Sequence, residues 1–356
     1  NYQNSGIMFL SVENIISLKS EKYISEEDFI KDFNIFPEKG DVLMTRIGDI
    51  GTANVVDSNE PKAYYVSLAL LKKKALDPYF LKESISSETV KNDLWKRTLH
   101  IAFPKKINKN EIAEVLVPYP EKREEQEQIG MFFKNLDNLI TLHQRKLEKI
   151  KDLKAAYLSE MFPKEGEKYP KLRFAGFTDD WEQRKLDDIA DVRDGTHDSP
   201  QYFSQGHPFI TSKNVGGGYI NYDDVQYISD AAFEEINKRS KVDKNDILMG
   251  MIGTIGNMAL IREKPDFAIK NVALIKDIKK VYYLYLYHYL QSSNVISQLN
   301  SGMDGGTQKF IALNKIRNLS ILVPCGKEQQ AVGEFFENLD NLITLHQRKL
   351  EKLNNI

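Results

Sequence analysis

The stretch NLDNLITLHQRKLEK occupies Asn135–Lys149 and recurs, letter for letter, at Asn338–Lys352. Around the first copy, Ile129, Phe133, Leu136, Ile140, His143, Leu147 and Ile150 follow one another at alternating spacings of four and three. The second copy runs Val332, Phe336, Leu339, Ile343, His346, Leu350 and Leu353. That spacing draws one apolar stripe along a helix, the seam by which helix packs on helix. Pro118 and Pro120, followed by Glu121, Glu124 and Glu125, mark the start of the first helix, and Pro163 stops it after Phe162. About forty helical residues would reach roughly 60 Å. Phe132, Leu139, Leu142 and Leu345 widen the apolar face, either for burial in the chain's own domains or for another protein. His143 and His346, inside the seam, read as hydrogen-bonded register residues rather than metal ligands.

The repeat extends beyond the helix. Gln126, Gly130 and Phe133 stand in register with Gln329, Gly333 and Phe336, and Leu116–Pro118 with Leu322–Pro324. KGDVLMTRIGDIG at Lys39–Gly51 echoes KNDILMGMIGTIG at Lys244–Gly256, and SLALLKK at Ser67–Lys73 echoes NVALIKD at Asn271–Asp277. Thr98–Ile107 lines up with Thr307–Ile316. The chain therefore reads as two copies of one unit, each a globular part followed by a helix: 1–118 and 119–162, then 163–324 and 325–356. Two such helices are expected to pack antiparallel about a pseudo-twofold axis, so that one polypeptide imitates a symmetric dimer. The lead-in Lys171–Phe209 has no counterpart before Phe9, which suggests that the first unit is truncated at its N-terminus. The second helix is expected to extend beyond Ile356.

Bulk properties set limits. With 356 residues, 41% hydrophobic and 28% charged, the chain has the composition of a globular protein of two domains. No apolar run approaches the roughly 20 residues a bilayer requires, and Asn1–Phe9 carries no secretory pattern, so a cytoplasmic protein is expected. The single cysteine, Cys325, excludes an internal disulfide and a cysteine-based zinc site. A net charge of −2 does not advertise a nucleic-acid binder, although Lys72–Lys74, Lys96-Arg97 and Lys105-Lys106 are locally basic.

Asp246–Met249, Ile252–Gly256 and Met258–Ile261 predict strand, tight turn, strand, and the matching Ile47–Gly51 places a second turn in the first half. Tyr79–Ile85 and Tyr282–Leu290 read as helices, the latter also compatible with a strand. The whole suggests α+β domains with twisted sheets. Several loops combine glycine with hydroxyl, amide and basic residues able to meet phosphates and base edges. In the second half the candidates are Thr196, His197, Ser199, Ser212, Lys213, Asn214, Thr254, Thr307, Gln308 and Lys309. In the first half they are Ser11, Asn14, Arg46, Lys96, Arg97, Thr98 and His100. Ordinary surface loops would show the same residue types, but recurrence at equivalent places in both copies favours a functional reading.

Catalytic signatures are missing. Gly250–Gly256 lies between strand-like segments, not before a helix, and so reads as a hairpin turn rather than a nucleotide loop. Asp77-Pro-Tyr-Phe80 approximates the motif of amino-methyltransferases but lacks its second proline. No Walker loop appears, and six histidines show neither metal nor triad spacing.

The phrases GFTDDWEQRKL, DGTHDSPQYF, PFITSKNV, GGTQKFIALNKIRNLSILVP and EQEQIGMFFKNLDNLITLHQRKLEKIKDLK, in the order domain, helix, domain, helix, resemble the specificity subunit of type I restriction–modification systems. The resemblance covers nearly the whole chain. It implies two pseudo-twofold-related α/β target-recognition domains separated by two long antiparallel coiled-coil helices. Each domain would read one half of a bipartite, asymmetric target in double-stranded DNA, with the helices as ruler. The resemblance further implies no catalysis and no cofactor in this chain. Two modification subunits would bring S-adenosylmethionine for adenine methylation, and two restriction subunits would bring ATP and Mg for cleavage, as in bacterial defence. The alternative is a coiled-coil scaffold with two adaptor domains and no DNA reading.

Overall fold

The computed structural model describes residues 2–303 and 309–355. The chain divides into two units, Asn1–Leu142 and His143–Ile356.

Unit one begins with β1 (Ile7–Leu10), a 3-10 turn (Val12–Asn14), β2 (Tyr23–Ile24) and α1 (Glu26–Asp32). There follow β3 (Val42–Ile47), β4 (Asp49–Val55), β5 (Lys62–Tyr64), β6 (Leu68–Leu71), α2 (Pro78–Ser86), α3 (Glu88–Lys96), α4 (Lys109–Ala113) and the start of α5 (Arg123–Glu160). Its sheets are β2-β1-β5, with β1 and β5 parallel, and the antiparallel β4-β3-β6. Successive strand residues face opposite ways, and both faces of β3 are covered. Val42 and Met44 pack with Ile85, Val90, Leu94 and Ile107, whereas Leu43 joins Leu10, Ile15, Leu18 and Leu68.

Unit two repeats this order with additions. The lead-in contributes β7 (Glu182–Lys185), α6 (Leu186–Ile189) and β8 (Asp191–Asp194). Then come β9 (His207–Thr211), a 3-10 turn (Ser212–Asn214), β10 (Val215–Gly216), β11 (Tyr219–Ile220), β12 (Gln226–Ile228) and α7 (Asp230–Ser240). The unit continues through β13 (Ile247–Gly250), β14 (Met258–Leu260), β15 (Ala268–Lys270), β16 (Val272–Lys276), α8 (Tyr283–Tyr289), α9 (Ser293–Ser301), α10 (Leu313–Arg317), β17 (Ser320–Val323) and α11 (Gly326–Asn354). Sheet β12-β9-β15 reproduces β2-β1-β5, down to the parallel pair β9 and β15. Sheet β14-β13-β16 reproduces β4-β3-β6, and the lead-in adds β8 to its edge and pairs β7 with β17.

The strand–turn–strand reading of both glycine segments agrees with the β3–β4 and β13–β14 pairs. Gly48, Gly51, Gly253 and Gly256 all have φ between 73° and 95°, the left-handed region that side chains resist. The segment YYLYLYHYL is a helix, buried from Leu284 through Tyr289, which explains why a strand also fitted its pattern: no face of it is polar. The Asp77-Pro-Tyr-Phe stretch is a helix start. Asp77 accepts hydrogen bonds from the N–H groups of Tyr79 and Phe80, with Pro78 in the first turn.

α5 ends at Glu160, two residues short of the expected stop, because Met161 and Phe162 turn into the core of unit two. There Phe162 stacks on Phe336 at 5.4 Å. The C-terminal part of α5 runs antiparallel to α11: His143 meets His346, Lys154 pairs with Asp340 at 2.6 Å, and Tyr157 lies edge-on to Phe335. Along α5 the half-buried positions include Ile129, Phe133, Leu136, Ile140, His143, Leu147 and Ile150, while most neighbours are exposed. On α11, Val332 and Phe336 are buried and Leu339, Ile343, His346, Leu350 and Leu353 half-buried.

Candidate nucleic-acid interface

Each unit gathers three loops at one end of its central sheet. The first is the glycine turn between β3 and β4, or β13 and β14. The second is the 3-10 turn after β1 or β9. The third is a basic segment stitched to the glycine turn. In unit one Gly48 N donates to Lys105 O (2.8 Å) and Ile107 N to Arg46 O (3.0 Å). In unit two Gly253 N donates to Lys309 O (3.2 Å) and Ile311 N to Met251 O (2.9 Å). These bonds correct the sequence register: Ile107 corresponds to Ile311, not Ile316, and Lys105 to Lys309. The lengths of the segments before them differ, so a similarity of letters slid by five positions.

The 3-10 turns are alike in detail. Ser11 N donates to Asn14 Oδ1 at 2.9 Å, and Thr211 N to Asn214 Oδ1 at 3.0 Å. Asn14 Nδ2 then donates to Lys19 O (2.8 Å), and Asn214 Nδ2 to Asn221 O (3.1 Å). Both asparagines thus shape their loops from within. Lys213 is exposed at the tip, 2.7 Å from Asp224.

Unit two brings Thr196, His197, Ser199, Ser212 and Thr254 together around Asn271, which joins β15 to β16 with φ +53°. His197 bridges Asn271 Oδ1 (2.6 Å) and Asp194 Oδ2 (3.1 Å), and Asp194 also receives Arg239. Ser212 Oγ donates to Asn271 O (2.8 Å) and accepts from Met251 N (3.2 Å), while Thr254 Oγ1 donates to Ser212 O (2.8 Å). Lys270 reaches Ser199, and Thr196 N donates to Ile269 O (3.1 Å). Gly195 is required here, since a Cβ would lie 2.4 Å from Ile269 O. Thr307 and Gln308 lie outside the described residues; Lys309 is exposed beside Gly253.

Unit one is less concentrated. Arg46 donates from Nη1 to Val66 O (2.9 Å). Thr98 is buried and donates to Leu94 O (2.7 Å), so its hydroxyl closes α3 rather than facing outward. Arg97 is held by Asp93 (3.1 Å) and Glu111 (3.5 Å). Lys96 and His100 are exposed, the His100 ring 4.3 Å from that of Trp95. Sequence reasoning missed Arg239 and Asn271, whose contacts depend on packing between distant elements. Lys105 was visible as a basic residue, but only its hydrogen-bonded register makes it the unit-one counterpart of Lys309.

The helices dock on these domains through one repeated device. Gln126 Oε1 accepts from Asp77 N (3.0 Å) while Nε2 donates to Pro120 O (2.8 Å). Gln329 does the same with Tyr282 N (2.8 Å) and Pro324 O (2.7 Å). One turn later, a Cβ on Gly130 would stand 2.7 Å from Phe80 N, and one on Gly333 2.8 Å from Tyr285 N. Glutamine and glycine therefore let α2 and α8 lie directly on α5 and α11. At the base of α11, fully buried Glu328 takes Arg173 Nε (2.6 Å), Arg173 Nη2 (2.8 Å) and Trp181 Nε1 (3.2 Å), tying the lead-in to the helix. Further along, His143 and His346 share a hydrogen bond between Nδ1 atoms at 2.9 Å, one ring donating and the other accepting. Burial, the neighbouring His143 and Lys349 hold His346 below the usual histidine range.

Among the described residues one grouping has metal-ligand chemistry: His288, Glu337 and Asp340. Its carboxylates already face Arg262 (2.9 Å) and Lys154 (2.6 Å), so the group is charge-balanced without an ion.

Two copies of one α/β module, each presenting a loop face and each mounted on a long helix, define a tandem recognition protein. The chain belongs to the family described as Type I restriction modification DNA specificity domain, which it matches over residues 2–152 and 178–355. It is 24% identical to the Type I restriction enzyme MjaVIII specificity subunit of Methanocaldococcus jannaschii over 69% of this chain and 60% of that protein. It is 25% identical to the Type I restriction enzyme EcoBI specificity subunit of Escherichia coli over 50% of this chain and 40% of that protein. The chain thus spans less than two thirds of the length of these relatives. Its fold matches the crystal structure of the type I restriction–modification S subunit from M. genitalium, with TM-score 0.66 and 15% identity over 99% of this chain and 87% of that one. No helix among the described residues is long and apolar enough to cross a membrane.

Proposed function

We propose that this chain is the non-catalytic, DNA-reading subunit of a type I restriction–modification complex in the cytoplasm. Each unit reads one half of a bipartite duplex target with its loop face, and the helices set the distance between half-sites. The two helices dock two modification subunits, which carry S-adenosylmethionine and methylate adenine. Restriction subunits with ATP and Mg join for cleavage.

One observation carries this reading. The 3-10 turn, with its asparagine bonded to the residue before the turn, and the glycine turn stitched to a basic residue recur in both units, but the side chains there differ: Ser11-Val-Glu-Asn against Thr211-Ser-Lys-Asn, and Asp49 against Thr254 at the glycine turn. The helices keep fifteen identical residues. A protein meeting two identical partners and two unlike half-sites needs this division. In the loop faces, Lys213 and Lys309 would meet phosphates, and Thr196, His197, Ser199, Ser212 and Thr254 would stand at base edges or hold the loops that do. Partner subunits would supply much of the remaining phosphate contact, which accommodates a net charge of −2.

The test is sequencing of methylated sites in cells expressing the chain with its modification subunits. Replacing Phe9–Ile107 by the equivalent region of another member should change one half of the methylated motif and leave the other and the spacing intact. A change in both halves, or in neither, refutes the modular reading. A scaffold that never touches DNA would leave the motif unaltered.

A further inference from the structure

We propose that the unit-one hairpin Leu99–Lys106 inserts Ile101 and Phe103 as an apolar wedge into the base stack of the half-site read by that unit. This rests on the DNA-reading function proposed above. Ile101 and Phe103 are 100% and 103% exposed, more than any other large apolar residue described. Their position is built rather than slack. Leu99 N donates to Lys106 O (2.8 Å), and the two bonds from Gly48 and to Arg46 fasten the hairpin to the end of β3. The base of the hairpin is thus fixed, and the tip is presented to solvent.

Charge around the tip selects the occupant. No acidic residue lies between Asp93 and Glu111, whereas Lys96, Arg97, Lys105, Lys106 and Lys109 all do. The two bounding acids already hold Arg97. At the hairpin's base the half-exposed Trp95 ring carries Lys105 Nζ 4.5 Å from its centroid. An apolar tip whose own segment carries five cations and no acid, with Asp49 the acid of the adjoining turn, fits a partner with anions outside and an apolar slot within. Duplex DNA offers phosphates flanking stacked bases, and apolar side chains set among basic ones kink it by partial unstacking. The hairpin also shares its root with unit one's own glycine turn, part of the loop face proposed to read that half-site.

The experiment uses the assembled complex of the full chain with its modification subunits, bound to target duplexes carrying 2-aminopurine at successive positions of the half-site. This base brightens when unstacked. A several-fold rise is expected at one step of the unit-one half-site, separate from any signal at the methylated adenine. Phe103→Ser should abolish that rise, keep the signal at the methylated adenine and weaken binding about tenfold. Its thermal stability should equal wild type, because the side chain it removes touches only solvent. Lys105→Ala with Lys106→Ala should instead keep the rise and flatten the salt dependence of binding by about two phosphate contacts. The wedge is overturned if the wild-type complex binds specifically without any such rise, or if Phe103→Ser retains it. It is equally overturned if Phe103→Ser lowers capture of modification subunits, or of anionic phospholipid vesicles, while DNA binding stands. Failure of the wild-type complex to bind any duplex selectively would refute the DNA-reading function itself, which is a different result.

Discussion

Glu328→Ala should be the most damaging single truncation at the base of α11. The carboxylate is fully buried and accepts three hydrogen bonds, two from Arg173 and one from Trp181. Removing it leaves a guanidinium that is only 14% exposed facing a void, with the indole N–H also deprived of its acceptor. Breaking a buried pair by deleting one partner costs about 3–5 kcal/mol. The residual exposure of Arg173 lets some water in, so the lower end, about 3 kcal/mol, applies. For a body the size of residues 143–356 this corresponds to a fall in Tm of about 6–12 °C. Glu328→Gln should cost less, since its amide oxygen still accepts from one donor. The decisive measurement is the double-mutant cycle with Arg173→Met, read by calorimetry of the full chain. If the pair acts as a unit, the double variant should be distinctly more stable than the sum of the single losses allows. A fall below about 2 °C for Glu328→Ala, or strict additivity in the cycle, would refute this account of how the lead-in is tied to the helix.

Gly130→Ala and Gly333→Ala pit two effects against each other. Alanine favours a helix by about 1 kcal/mol, but a Cβ pressed against backbone atoms of α2 or α8 costs about 1–3 kcal/mol. With backbone nitrogens 2.7–2.8 Å away the clash prevails, and each variant should lose about 2 kcal/mol in denaturant titration; a gain in stability at either site would show that the helices can separate freely. Stability should also fall with pH. Burial, reinforced by Lys154 and Arg262, holds His288 well below the usual histidine range, and burial with His143 lowers His346 from it. Both groups are bound by protons more readily in the unfolded chain, so their stabilisation is present above about pH 6.5 and is lost as pH falls below it. Denaturation midpoints at pH 7.5 and 5.5 should differ for wild type and differ less for His288→Gln; equal differences would remove His288 from the explanation.

The repeated heptad spacing, the glycine turns and the order of domain and helix are local or periodic properties. Each can be read from neighbours in the chain: Ile129 to Ile150 by their interval, Gly48 and Gly253 by the φ they permit. The same holds for Gln126 and Gly130, which stand in register with Gln329 and Gly333 before any contact is known. What those two residues do was invisible, because it requires α2 and α8 to arrive from about fifty residues away. The candidate loop residues divide on the same principle. Residue type drew notice to Ser212, Thr254 and His197, which the fold brings together around Asn271, but it could not distinguish exposed His100 from Thr98, whose hydroxyl is spent on Leu94. Nor could it find Arg239 and Asn271, which join this cluster through contacts made across the fold. The alignment of Thr98–Ile107 failed where segment lengths differ, and backbone hydrogen bonds restored the register that pairs Lys105 with Lys309. Periodicity and backbone permissiveness are written into consecutive residues, and so the sequence by itself determined the tandem plan and the long helices. Which polar groups are free to meet a partner depends on desolvation and competing partners from distant segments, and that only the tertiary structure decided.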